Sequence, residues 1–119
     1  MSNIFNKNET KLHELTTEAI SECHKFLRNY YNDPTISSLR EIARFRECIE
    51  FFEDYFIKKN NENEINDDKK ILYKIKSIIC SLYCCYYIKI ISNEKRAEFD
   101  FNLRNILIKL VNTYSEEKN

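Results

Sequence analysis

Hydrophobic residues recur at spacings of three and four along most of this 119-residue chain, the period of helices that bury one face. Leu12, Leu15, Ala19, Cys23, Phe26 and Tyr30 form one stripe and predict a helix over about residues 10–32. It should stop there because Pro34 drives Asp33 out of the α region. A second stripe, Leu39, Ile42, Phe45, Ile49, Phe52 and Phe56, predicts a helix over about 38–58, with Cys48, Phe51 and Tyr55 widening its buried face. Its start is marked by Ser38-Leu39-Arg40-Glu41, a capping box in which the hydroxyl takes the Glu41 N–H and the carboxylate reaches back to Ser38. Residues 58–70 are polar and aperiodic, a surface loop. The third segment, about 69–91, is apolar nearly all round and belongs at the centre of a bundle. The fourth, about 94–114, carries Phe99, Leu103, Ile106, Leu107, Leu110 and Tyr114 on one side. Residues 1–10 read as a flexible N-terminus and 115–119 as a frayed tail. The expectation is an all-α fold: one helical domain over 11–114, a bundle of about four helices, with no solenoid repeat.

Composition sharpens this. The chain has no glycine, where an average one would carry roughly eight. Phosphate-cradling loops, nucleophile elbows and tight hairpin turns all need that residue. Nineteen basic residues balance nineteen acidic ones, so no basic face for nucleic acid is visible and neither DNA, RNA nor an anionic membrane is an expected partner. The apolar run from Ile78 to Ile91 is interrupted by Lys89 and is shorter than a bilayer span of roughly 20 residues, so a buried helix is expected rather than a membrane span. Five cysteines are an odd number, and the first residues lack the basic start and apolar run of a signal peptide. Reduced thiols in a cytosolic or nuclear protein are expected, with a cytoplasmic location the working expectation.

Candidate chemistry is sparse. Cys80, Cys84 and Cys85 cluster on the third segment, but zinc wants four ligands, and His13 and His24 lie on a different helix. Small core cysteines are the better account, and no metal is expected. Adjacent Cys23 and His24 point about 100° apart on a helix, which suits no catalytic pair. The stretch around Tyr83, Tyr86 and Tyr87 lacks the basic surroundings of a base-stacking platform. Glu47, Glu50, Glu53 and Asp54 read as a solvated face. No nucleophile, base and oxyanion donor can be assembled, so no catalytic residue is expected and the chain reads as a non-enzyme. Arg40 falls at the second position of its helix, where the macrodipole disfavours a cation; the local conflict fits a role elsewhere or an ordinary exposed arginine. The stock of Phe and Tyr also suits a stand-alone interaction domain that binds a partner helix through an exposed apolar strip.

The stretch FLRNYYNDPTISSLREIARFRECIEFFEDYF resembles the S-L-R-D-[VI]-x-R segment that opens a lid helix in giant AAA+ proteins. KSIICSLYCCYYIKIISNEKRAEF looks like the apolar helix ending in a Cys-Tyr motif that follows it in the mysterin family of RING-containing AAA+ ubiquitin ligases. Dynein and midasin are more distant relations. The likeness covers roughly residues 15–110, with Glu41 where the family more often shows Asp. It implies a helical lid in which Arg40 matches the nucleotide-sensing arginine, sensor 2, and Arg44 matches the second basic position, able to pair with Glu41 or Glu47. Such a lid senses nucleotide only when docked on an AAA+ α/β core. No Walker motif or RING is present here, so ATP and Mg would belong to a complete parent module, and the chain would be a detached lid without ATPase or ligase activity of its own.

Overall fold

The computed structural model describes residues 3–32, 39–59 and 67–118, with side chains placed for 10–32, 40–59 and 69–113. It is an all-α bundle of four helices, α1 (Asn3–Tyr31), α2 (Leu39–Lys59), α3 (Asp67–Cys85) and α4 (Asn93–Lys118), with a 3₁₀ turn at Tyr87–Lys89. There is no strand among the described residues.

Several boundaries differ from the sequence expectation. α1 begins at Asn3, so the stretch expected to be a flexible N-terminus is helical from there, and α4 continues through the expected tail to Lys118. No glycine or proline interrupts either end, and extending an existing helix costs little. The expected polar loop lies mostly at residues 60–66, outside the described residues. α1 ends as Asn32 turns to a φ of 53°. Asparagine is the residue besides glycine that tolerates the left-handed region at a helix C-terminus, and in a glycine-free chain it takes that place.

α3 is the central element and packs against α1, α2 and α4, while α1 also packs against α4. Ile71, Ile75, Ile78, Leu82 and Cys85 are buried, and α1 meets them with Leu12, Leu15, Ala19, Cys23 and Leu27. α4 contributes Phe99, Leu103, Ile106 and Leu110, and α2 contributes Phe45. Residues Lys69–Lys89 are long and apolar enough by composition to cross a membrane, and half of the 18-residue apolar window within them is buried inside the bundle.

The third helix ends six residues earlier than expected. Tyr86 leaves the helix with φ −120° and ψ −51°, and Ile90 is extended at φ −94° and ψ 119°. The connection is tied down by side chains. Tyr31 Oη donates to the Lys89 carbonyl, Arg96 Nε donates to the Ile90 carbonyl at 2.6 Å, and the guanidinium lies 5.0 Å from the Tyr87 ring centre. Ser92 then caps α4, its hydroxyl accepting the Lys95 N–H at 3.3 Å.

The expected second row of α2 is corrected. Phe51 is 65% and Tyr55 47% exposed, and only Cys48 of that row is part-buried. α2 packs chiefly on α3, so one row is covered and the row beside it stays in water.

Ser77 and Ser81 are fully buried on α3. Ser77 donates to the Tyr73 carbonyl at 2.6 Å, whereas Ser81 Oγ has no hydrogen-bond partner. A buried hydroxyl without a partner costs about 1–3 kcal/mol. We therefore expect Ser81→Ala to raise unfolding free energy by about 1 kcal/mol, and Leu82→Ala to lower it by about 2–5 kcal/mol. Phe51→Ala should change it by less than about 0.5 kcal/mol. Urea unfolding followed by circular dichroism checks all three.

Candidate functional site

Arg40, Glu41 and Arg44, at the start of α2, lie at one end of the bundle, and only Glu41 among them is buried. Glu41 is buried, and its Oε2 receives Lys89 Nζ at 2.7 Å from the 3₁₀ turn. Arg44 Nη1 stands 3.8 Å from the same oxygen while staying 55% exposed. The Lys89 hydrogen bond holds the Glu41 carboxyl below the usual range against the opposing effect of burial, and Lys89, Arg44 and Arg40 add favourable charge. Ser38 of the expected capping box lies outside the described residues. The Glu41 carboxylate is engaged with Lys89.

Beside this pair, a 2.9 Å hydrogen bond joins His24 Nε2 on α1 to the hydroxyl of fully buried Tyr86. The two rings meet edge to face at 5.3 Å, and Phe45 of α2 lies 6.1 Å from Tyr86 on another side. Burial, reinforced by Arg28, lowers the His24 pKa despite the opposing charge of Glu41. His24–Tyr86 thus ties α1, and Glu41–Lys89 ties α2, to the segment that follows α3. Sequence patterning did not mark His24 or Lys89 as structural partners; only their departure from an otherwise apolar or exposed context hinted at it.

Arg40 is exposed, with no ion pair among the described residues. Arg44 pairs with Glu41 rather than Glu47. The acidic face of α2 is not wholly solvated: Glu47, Glu50 and Asp54 are exposed, but Glu53 accepts from Lys74 of α3 at 3.1 Å. Of the five cysteines, Cys23 and Cys85 are buried, Cys48 and Cys80 part-buried, and Cys84 exposed. The core account therefore fails for Cys84. Among the described residues no three His, Cys, Asp or Glu side chains converge as a metal site would require.

A second feature lies on α4. Its buried row is Phe99, Leu103, Ile106, Leu110 and Thr113. Two residues before each stands a member of another row: Ala97, Phe101, Arg104, Ile108 and Val111, all exposed. A shift of two residues is a turn of about 200°, so α4 has apolar positions on opposite sides. Phe101 is 74%, Ile108 48% and Val111 51% exposed. On the α3 side this row borders a shallow groove of about 590 Å³, lined also by Tyr83, Asp100 and Leu107. The Tyr83 hydroxyl donates to Asp100 at 2.9 Å across it.

No family model, curated protein or solved structure matches the chain.

The acid response of the polar end follows from these shifts. Lowered in the folded state, His24 leaves the unfolded chain binding more protons below about pH 6.5. Stability is then lost as pH falls from about 6.5 toward the folded pKa. Glu41, also lowered, contributes stability above about pH 4.5 that disappears as pH falls through its folded pKa. We expect urea midpoints to decline in these two stages. His24→Gln should flatten the first stage and Glu41→Gln the second; a midpoint constant between neutral pH and about 5.5 would contradict the His24 assignment.

Proposed function

We propose that this chain is a non-catalytic helical interaction module whose outer α4 face receives an amphipathic partner helix. The observation that carries the reading is the exposed row Ala97, Phe101, Arg104, Ile108 and Val111. Its spacings of four and three are those of a coiled-coil seam. Single exposed hydrophobes are ordinary surface, but a row along three turns of one helix is not. Covering Phe101 offers up to about 1.5–3 kcal/mol and the half-exposed Ile108 and Val111 roughly half of that each, set against the cost of association. Arg104 sits within that row and forms no ion pair among the described residues. It favours a partner that presents a carboxylate between its apolar anchors.

A second reading retains the AAA+ lid resemblance. Its support is Arg40, exposed in the first turn of α2, where a docked α/β core holding ATP and Mg could meet it. Arg40→Ala in a reconstituted parent module would then slow nucleotide hydrolysis, and unchanged turnover would retire the sensor role.

The principal reading is tested by selecting helical peptides on the wild-type chain and counter-selecting on Phe101→Glu/Ile108→Glu. We expect binders with an apolar 3-4 stripe and a carboxylate, losing at least about 100-fold in affinity on the variant. The variant's unfolding free energy should move by no more than about 0.5 kcal/mol. Binders indifferent to both substitutions would remove the α4 face from the proposal.

A further inference from the structure

A pair of thiols bridges the largest helix–helix interface. Cys48 on α2 and Cys85 on α3 lie 37 residues apart in sequence, yet their sulfurs are 3.5 Å apart, with Cys85 Sγ donating to Cys48 Sγ. Both are reduced. Bonded sulfurs stand about 2.0 Å apart, so closure needs a movement of about 1.5 Å. We propose that Cys48 and Cys85 form a modification site, a dithiol that low-molecular-weight disulfides convert into an intrachain α2–α3 disulfide.

The two thiols differ in access, which orders the chemistry. Cys48 is part-buried and Cys85 buried, so Cys48 meets the reagent first. Its thiolate attacks one sulfur of the incoming disulfide RSSR, giving a mixed disulfide and releasing RS⁻, which takes up the proton Cys48 lost. Cys85 then gives up its proton and attacks Cys48 Sγ, and the second RSH leaves. Two protein thiols are oxidised by two electrons and one RSSR is reduced to two RSH. Burial, with the Cys48 contact, pushes the Cys85 thiol up to about 12. Little Cys85 thiolate is present at neutral pH, and the second step depends on the pre-formed contact. Cys23 is fully buried with its pKa also raised by burial, which keeps it out of the exchange. Cys84 is exposed but next to Cys85 on the helix, its side chain turned about 100° away. It is therefore the site for unlinked mixed disulfides.

The test equilibrates the full chain in glutathione buffers of graded oxidised-to-reduced ratio, alkylates remaining thiols and maps the peptides by mass spectrometry. The expected result is a Cys48–Cys85 link that removes both of these thiols from alkylation, separately from glutathionylation of Cys84, with an upward shift of the thermal midpoint and reversal by dithiothreitol. Cys84→Ser should keep the link, while Cys48→Ser, at a part-exposed position that tolerates serine, should lose it. If Cys48 and Cys85 stay alkylatable in buffers that glutathionylate Cys84, the proposal is overturned. A Cys48–Cys84 link, or a Cys48 that retains bound glutathione without passing it to Cys85, overturns it equally.

Discussion

One end of the bundle is organised around a single buried hydroxyl. Tyr86 is fully buried where α3 ends, and a phenol taken out of water without a hydrogen bond would cost about 1–3 kcal/mol. His24 supplies the partner from α1 at 2.9 Å, and Phe45 packs on the ring from α2. One side chain just beyond α3 therefore touches both α1 and α2. It also accounts for the end of α3: a residue committed to these neighbours leaves the helical path, and the 3₁₀ turn follows. That turn brings Lys89 to Glu41 and leads, through extended Ile90, to the Ser92 cap of α4.

The position of α4 in turn decides which of its two apolar rows is covered. α1 and α3 pack on it from one side, and burying Phe99, Leu103, Ile106 and Leu110 there leaves Phe101, Ile108 and Val111 in water. The face proposed for a partner and the core that holds the bundle are thus two sides of one helix. A disulfide between Cys48 and Cys85 would stiffen the α2–α3 pair without altering that face.

Much of the architecture was legible because helix periodicity is strong and glycine is absent. Leu12, Leu15, Ala19, Cys23, Phe45, Phe99, Leu103, Ile106 and Leu110 are buried as their spacing predicts, while Phe26, Tyr30 and Leu107 of the same stripes are only partly buried. Legibility failed where two patterns overlapped. Phe51 and Tyr55 extend the α2 stripe as plausibly as Cys48 does, and only the position of α3 decides that they stay exposed. On α4 the inner row was evident, but the outer row is visible only once one side is known to be occupied. The end of α3 was missed because Tyr86–Ile91 has no breaker residue; its departure from the helix is a tertiary effect. Arg40 and Glu41 were singled out for local reasons, yet Glu41 is bound to Lys89, 48 residues away, a pairing that no local pattern carries.

The central claim, that the outer face of α4 is the surface this chain offers to a partner, is most directly tested by hydroxyl-radical footprinting of the free chain and of its native complex. The account predicts that oxidation of Phe101, Ile108 and Val111 falls in the complex while Phe51 and Tyr55 keep their reactivity. Protection centred on Phe51 and Tyr55, or on the first turn of α2 with Phe101 still reactive, would contradict it.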